Sequence, residues 1–194
     1  MAVDLSQLSQ VIRDRRSVKP ALLSDRPVAR DLIENLLDNA NWAPTHGMTE
    51  PWRFHVFTGD SRQRLATKLQ ELYQEHTPVE NVRPEKFEKL GKNPLLAPVV
   101  IALGMHRDPS GKIHEIEEIA AVACAVQNLH LSASVTGLGG FWSSPPLVYT
   151  EGMRTFLGLE PGGVCLGLFY LGWPEGPLPE SRRGPVFEKV TWEK

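Results

Sequence analysis

The sequence predicts an α+β fold, a central mixed β-sheet flanked by helices. Three observations carry that prediction. Residues 98–105 and 164–172 are uninterrupted apolar runs with the length of strands buried inside a sheet. Residues 115–136 form a long segment rich in alanine and serine and apolar over a wide arc, as expected of a central helix. Amphipathic helical stripes lie between the strand signals, without repeats or low-complexity tracts.

Taken in order, Leu5, Leu8, Val11 and Ile12 mark a first helix, and Ile33, Leu36, Leu37 and Ala40 a second that ends by Pro44. Residues 52–58 alternate and are aromatic or β-branched, which reads as a strand closed by Gly59-Asp60. Asp60 or Ser61 can cap a third helix with Leu65, Leu69 and Leu72 on its inner face. Residues 76–93 are polar and contain prolines, an excursion with one short helix. The long helix follows the 98–105 strand and stops at Gly137, a residue suited to a left-handed C-terminal cap. Gly139-Gly140 opens what reads as a turn, and 164–172 is the last strand. The tail, 175–194, is rich in proline and charge yet carries Val186, Phe187, Val190 and Trp192. It is expected to be an arm docking on another subunit, so that 1–194 is one domain with a swapped extension.

Composition narrows the function. A net charge of -2 argues against nucleic acid, which demands a basic surface. No apolar run approaches the roughly 18 residues of a membrane span, and the start Met1-Ala2-Val3-Asp4-Leu5 lacks the pattern of a signal peptide. Cys124 and Cys165 are far apart in apolar runs, reading as reduced core residues of a cytoplasmic protein rather than a disulfide or metal site. The six histidines are scattered, and there is no G-x-S-x-G, H-E-x-x-H, P-loop or Rossmann fingerprint. An enzyme with this inventory needs a borrowed cofactor.

Three local features remain. Arg15-Arg16-Ser17-Val18-Lys19 closes the first helix, and its cations and hydroxyl could surround a phosphate. Cations at a helix C-terminus equally well satisfy its carbonyls and dipole. Residues 43–52, including His46 and Pro51-Trp52, form a Pro-bounded loop in which a lone histidine is usually structural. Residues 139–146 combine glycines, Phe141, Trp142, Ser143 and Ser144, suiting a planar heteroaromatic ligand or a buried turn.

In this order the features, R-R-S-x-K, A-P-x-H-x-x-x-x-P-W and G-x-G-G-x-W-x-S, resemble the nitroreductase family, and most closely its short bacterial NAD(P)H-dependent branch. The resemblance extends over nearly the whole chain. It implies an FMN-containing homodimer with the flavin at the subunit interface. Arg15, Arg16 and Ser17 would bind FMN, with Lys19 and Trp42 as further candidates. His46 would reach the flavin of the other subunit, and Trp142, Ser143 and Ser144 would line it. Ser132, Ala133, Ser134, Val135, Thr136 and Gly137 would meet the nicotinamide of NADH or NADPH. Trp42 stands where this branch tends to have an arginine, and Glu50 replaces a glutamine before Pro-Trp. No side chain is expected to be catalytic: the reaction would run at the flavin N5, reducing a small acceptor such as a nitroaromatic or quinone. Arg16 or Lys19 would supply charge near the ring and Arg15 would hold the phosphate. Dehalogenation, flavin reduction or fragmentation, and non-catalytic flavin binding are the alternatives on the same fold.

Overall fold

Strand β1 (Trp52–Thr58) alternates because its two faces meet two different layers. Trp52, Phe54 and Val56 pack into one core cluster and Phe57 into the other. The computed structural model describes residues 4–193. Its sheet is completed by β2 (Val99–Met105), β3 (Gly139–Ser143) and β4 (Val164–Gly172), in the order β1-β2-β4-β3.

All three strand pairings are antiparallel, where a mixed sheet was expected. The only parallel element beside it among the described residues is a single bridge from Ser17 to Gly140. An uninterrupted apolar run reports that both faces of a strand are covered, and says nothing about the direction of its neighbour. Helices α2 (Arg30–Asn41) and α5 (Glu115–Val135) cover one face, where Ile101, Leu103, Phe169 and Leu171 are buried. Helices α3 (Ser61–Glu75) and α6 (Glu151–Phe156) cover the other, over Val100, Ala102, Leu168 and Tyr170. Helix α4 (Pro84–Lys92) falls in the polar excursion and packs beside α3.

Helix ends follow the local chemistry. Asp4 caps α1 (Leu5–Asp14) in a reciprocal capping box with Gln7. Ser61 does not cap α3; its hydroxyl turns back to the N–H and carbonyl of Thr58, 2.8 and 2.6 Å away. At the C-terminus of α5, Gly137 adopts φ +83°, and the N–H groups of Gly137 and Leu138 close onto the carbonyls of Ser134 and Ala133. That pairing satisfies carbonyls the helix would otherwise leave open.

Two expectations change. The 139–144 segment is largely strand β3 rather than a turn, its glycines being needed for close approach rather than for reversal. Helix α5 is buried along Ala121, Val122, Ala125, Val126 and Leu129, while Ile116, Ala120, Cys124 and Val135 are uncovered on its other side. The tail is tied to its own chain as far as Pro179: Glu175 N–H donates to Leu22 O at 2.8 Å, and Arg16 Nε to Pro179 O at 2.9 Å. Beyond it, Phe187 and Trp192 are 76% and 77% exposed. Met1, Ala2, Val3 and Lys194, the ends of the expected domain and arm, lie outside the described residues.

Candidate functional site

Arg15 leaves α1 in an extended conformation, carrying the chain out of the helix and along the edge of β3. Val18 N–H donates to Gly140 O at 2.9 Å, and Ser17 forms the bridge to Gly140. Two of the three sequence features are thereby brought together. Gly140 makes this possible, because a Cβ there would press on the ring of Phe169 and come within 3.0 Å of His130 Cδ2. His130, 7% exposed, contacts the carbonyl of Arg16 through Nε2 at 3.0 Å. Burial and then the charge of Arg15 lower its pKa to about 4. The ring is therefore neutral at pH 7, with Nε2–H as the donor.

The two arginines do different things. Arg16 donates to the carbonyls of Pro179, Arg15 and Arg13, so its guanidinium closes α1 and holds the tail. Arg15 is half-buried and faces a cavity of about 500 Å³ with Arg13, Gln127, Ser181 and Arg183. Among the described residues no carboxylate lies within ion-pair distance of Arg15 or Arg183. Burial first, then Arg183 and Arg16, lower the pKa of Arg15. Uncompensated like charges around one hollow are the electrostatic form of an anion site. Lys19 is exposed at the start of the Pro20–Leu22 turn and caps nothing with its side chain.

Along β3 the strand alternates. Trp142 lies on the α2/α5 face and donates through Nε1 to Leu166 O at 3.1 Å. Ser143 points to the opposite face, where it lines a cavity of about 430 Å³ between the sheet and α4. Ser144 is exposed. The side chains of Trp142 and Ser143 thus do not share one surface. The cavity floor is Ser143, Leu168 and Tyr170, and its α4 wall carries Lys86 and Lys89.

The remaining candidates lie elsewhere in the chain. Trp42 ends α2 and is 80% exposed. His46 sits in a loop where Gly47, Met48 and Glu50 all have positive φ (61°, 52° and 43°). Its Nδ1 meets Glu117 Oε2 at 3.0 Å, a hydrogen bond that holds the Glu117 carboxyl below its ordinary pKa. Glu117 and Gln127 are ten residues apart on α5, so His46 stands about 15 Å along that helix from the Arg15 cavity. Pro51-Trp52 is structural, since the Trp52 indole donates to Asn41 Oδ1 at 2.8 Å and joins β1 to the end of α2. Residues 132–137 are the end of α5. Ser132 Oγ accepts from Asn39 at 3.1 Å, Ala133 is buried, and Thr136 Oγ1 donates to Ala133 O at 2.8 Å. Ser134 is half-buried, and Val135 and Thr136 are exposed around the Gly137 cap.

Sequence reasoning overlooked Arg183 and Ser181, although Ser181-Arg182-Arg183 stands out in the tail, and the α4 lysines. It also overlooked Tyr170, whose hydroxyl in an otherwise apolar strand is itself a signal. Among the described residues no His/Cys/Asp/Glu cluster could hold a metal ion, and no helix is long and apolar enough to cross a membrane.

Comparison with known proteins adds three findings. The family model described as "Nitroreductase family" matches residues 12–173. The chain is similar to the chloronitrobenzene nitroreductase of Comamonas testosteroni, 35% identical over 210 aligned residues and covering 88% of each chain. Among solved structures it is similar to a nitroreductase-like family protein from Bacillus cereus (TM-score 0.85, 30% identity, 100% of each chain). Its fold is also that of the FMN-dependent nitroreductase NfnB from Mycobacterium smegmatis solved in complex with NADPH (TM-score 0.74, 19% identity, covering 98% of this chain and 100% of that one).

Proposed function

The chain belongs to the nitroreductase family, and from that premise we propose that it is an FMN-dependent oxidoreductase that reduces a small acceptor with NADH or NADPH. The observation that carries the reading is the uncompensated Arg15–Arg183 pair around one hollow, at the end of α1 where the chain turns through Ser17 along the edge of β3. The residues fit the cofactor's two ends. Arg15, Arg183 and Ser181 would hold the phosphate by charge-assisted bonds. The cavity under α4, apolar at Leu69, Leu90 and Leu168 and polar at Glu85, Lys89 and Asn93, would take the ring.

When bound, FMN would supply the redox chemistry, a two-electron exchange between a nicotinamide and a nitroaromatic or quinone acceptor that takes its place in a ping-pong sequence. The protein binds, orients and supplies charge. Lys89, more than the engaged Arg16 or Lys86 (whose ammonium lies 5.0 Å from the Tyr73 ring centroid), is the cation of this cavity free to offset negative charge on the ring, with Glu85 acting against it. Glu117 fixes the His46 ring through Nδ1.

The functional unit is a homodimer. Leu5, Leu8 and Ile12 of α1 and Ile116 and Val135 of α5 are exposed apolar side chains on helices, a pattern that calls for a partner surface. Antiparallel packing of two α5 helices would carry His46 of one subunit toward the Arg15 cavity of the other. The likeness to NfnB, an FMN-dependent enzyme solved with NADPH, supports the choice of cofactors.

The purified protein is expected to be yellow and to bleach anaerobically on NADH or NADPH. A combined Arg15→Ala and Arg183→Ala variant should lose FMN at least tenfold more readily, since each charge-assisted bond contributes about 1.5–3 kcal/mol. Full flavin occupancy in that variant overturns the phosphate assignment. A colourless wild-type protein that takes up no FMN overturns the whole reading.

A further inference from the structure

Tyr170 lies on β4 with 4% of its surface exposed, on the face covered by α3 and α4. Its hydroxyl has no hydrogen-bond partner among the described residues, unlike Tyr73, whose hydroxyl accepts from Arg83 N–H at 3.0 Å. No fully occluded side-chain nitrogen or oxygen among those residues lacks a partner. The Tyr170 oxygen is therefore not sealed in the core, and the residue lines the 430 Å³ cavity under α4. Buried tyrosine hydroxyls nearly always find an acceptor. An orphaned one at the wall of a cavity lined by both apolar and polar groups marks where a ligand's acceptor atom belongs.

We propose that the Tyr170 hydroxyl is a hydrogen-bond donor to the heteroaromatic ring held under α4, an additional cofactor-binding group of this chain. The inference rests on the flavin reading above. Burial pushes the phenol's pKa above its ordinary range, so at neutral pH the group keeps its proton and can donate. Pairing with an acceptor nitrogen or oxygen relieves an otherwise unsatisfied group and gives the ring an orientation that apolar walls alone cannot. Such a bond strengthens when the ring gains negative charge, as hydrogen bonds to charged groups do.

The test compares wild-type, Tyr170→Phe and Tyr73→Phe holoproteins by FMN release on dilution, visible spectrum and midpoint potential. Tyr170→Phe removes one oxygen and leaves the packing volume nearly unchanged. It should release FMN about tenfold more readily, the size of one net hydrogen bond, with a shifted flavin band. Its midpoint potential should fall, a tenfold bias toward oxidised flavin corresponding to about 30 mV for a two-electron couple. Tyr73→Phe, which removes a hydroxyl bonded only to the chain, should lower Tm and leave spectrum and potential in place. A flavin-loaded wild type with unchanged release, spectrum and potential in Tyr170→Phe overturns the assignment of Tyr170 alone. Failure of wild type and variant alike to bind FMN overturns the flavin reading and this inference with it.

Discussion

The carbonyl of Arg16 accepts from His130, and that contact decides which tautomer of a buried imidazole is present, while burial decides its protonation state. The folded pKa of about 4 lies below the ordinary 6.5, chiefly because burial penalises the charged form. In the unfolded chain His130 takes up its proton near pH 6.5, whereas the folded chain resists until about pH 4. The stabilising difference is therefore complete above pH 6.5 and lost as pH falls through that window. At 1.36 kcal/mol per unit it amounts to at most ~3 kcal/mol. Thermal melts of wild type should fall more steeply between pH 6.5 and 4 than those of His130→Gln; equal slopes would show that His130 already titrates normally.

At the scale of elements, the long helix depends on how it stops. Gly137 holds φ +83° inside the double closure onto Ser134 and Ala133, a conformation an L-residue adopts only with strain. Gly137→Ala should cost about 1 kcal/mol, the penalty of an L-residue in the left-handed region, lowering Tm by roughly 2–4 °C in a chain of this size; an unchanged melt would mean the cap relaxes freely. The elements legible in the sequence were those whose signal is local. Strands β1, β2 and β4 and helices α1, α2, α3 and α5 each declare themselves by periodicity or an apolar run. Strand β3 was hidden because Gly139 and Gly140 imitate a turn, and they are glycines only because Val18, His130 and Phe169 crowd them from distant parts of the chain. The opposite facing of Trp142 and Ser143 follows once β3 is known to be a strand. The meeting of Arg15 with Arg183 could not be read from either segment, since it depends on where the tail is tied.

At the scale of the whole molecule, two surfaces remain open in the single chain. The uncovered side of α5, with Ile116, Ala120, Cys124 and Val135, continues the apolar character of its buried side. Placing Arg at Ala120 should shift sedimentation from dimer toward monomer and reduce FMN content together, because the proposed site draws His46 from the partner; a flavin-loaded monomer would separate the two. The second consequence concerns the tail. The α1 end that presents Arg15 also holds residue 179 through Arg16, and Arg183 lies just beyond that tie. A protease cutting after arginine would find its substrate bond beside the proposed phosphate site. Occupancy should thus be readable as digestion kinetics: FMN should slow trypsin cleavage at Arg182 and Arg183 severalfold, and cleaved protein should leak its flavin. Equal cleavage rates with and without FMN would mean that the tail and the cofactor ignore each other. Slowed cleavage would instead make the C-terminal strap a latch whose closure reports how much of the protein carries flavin.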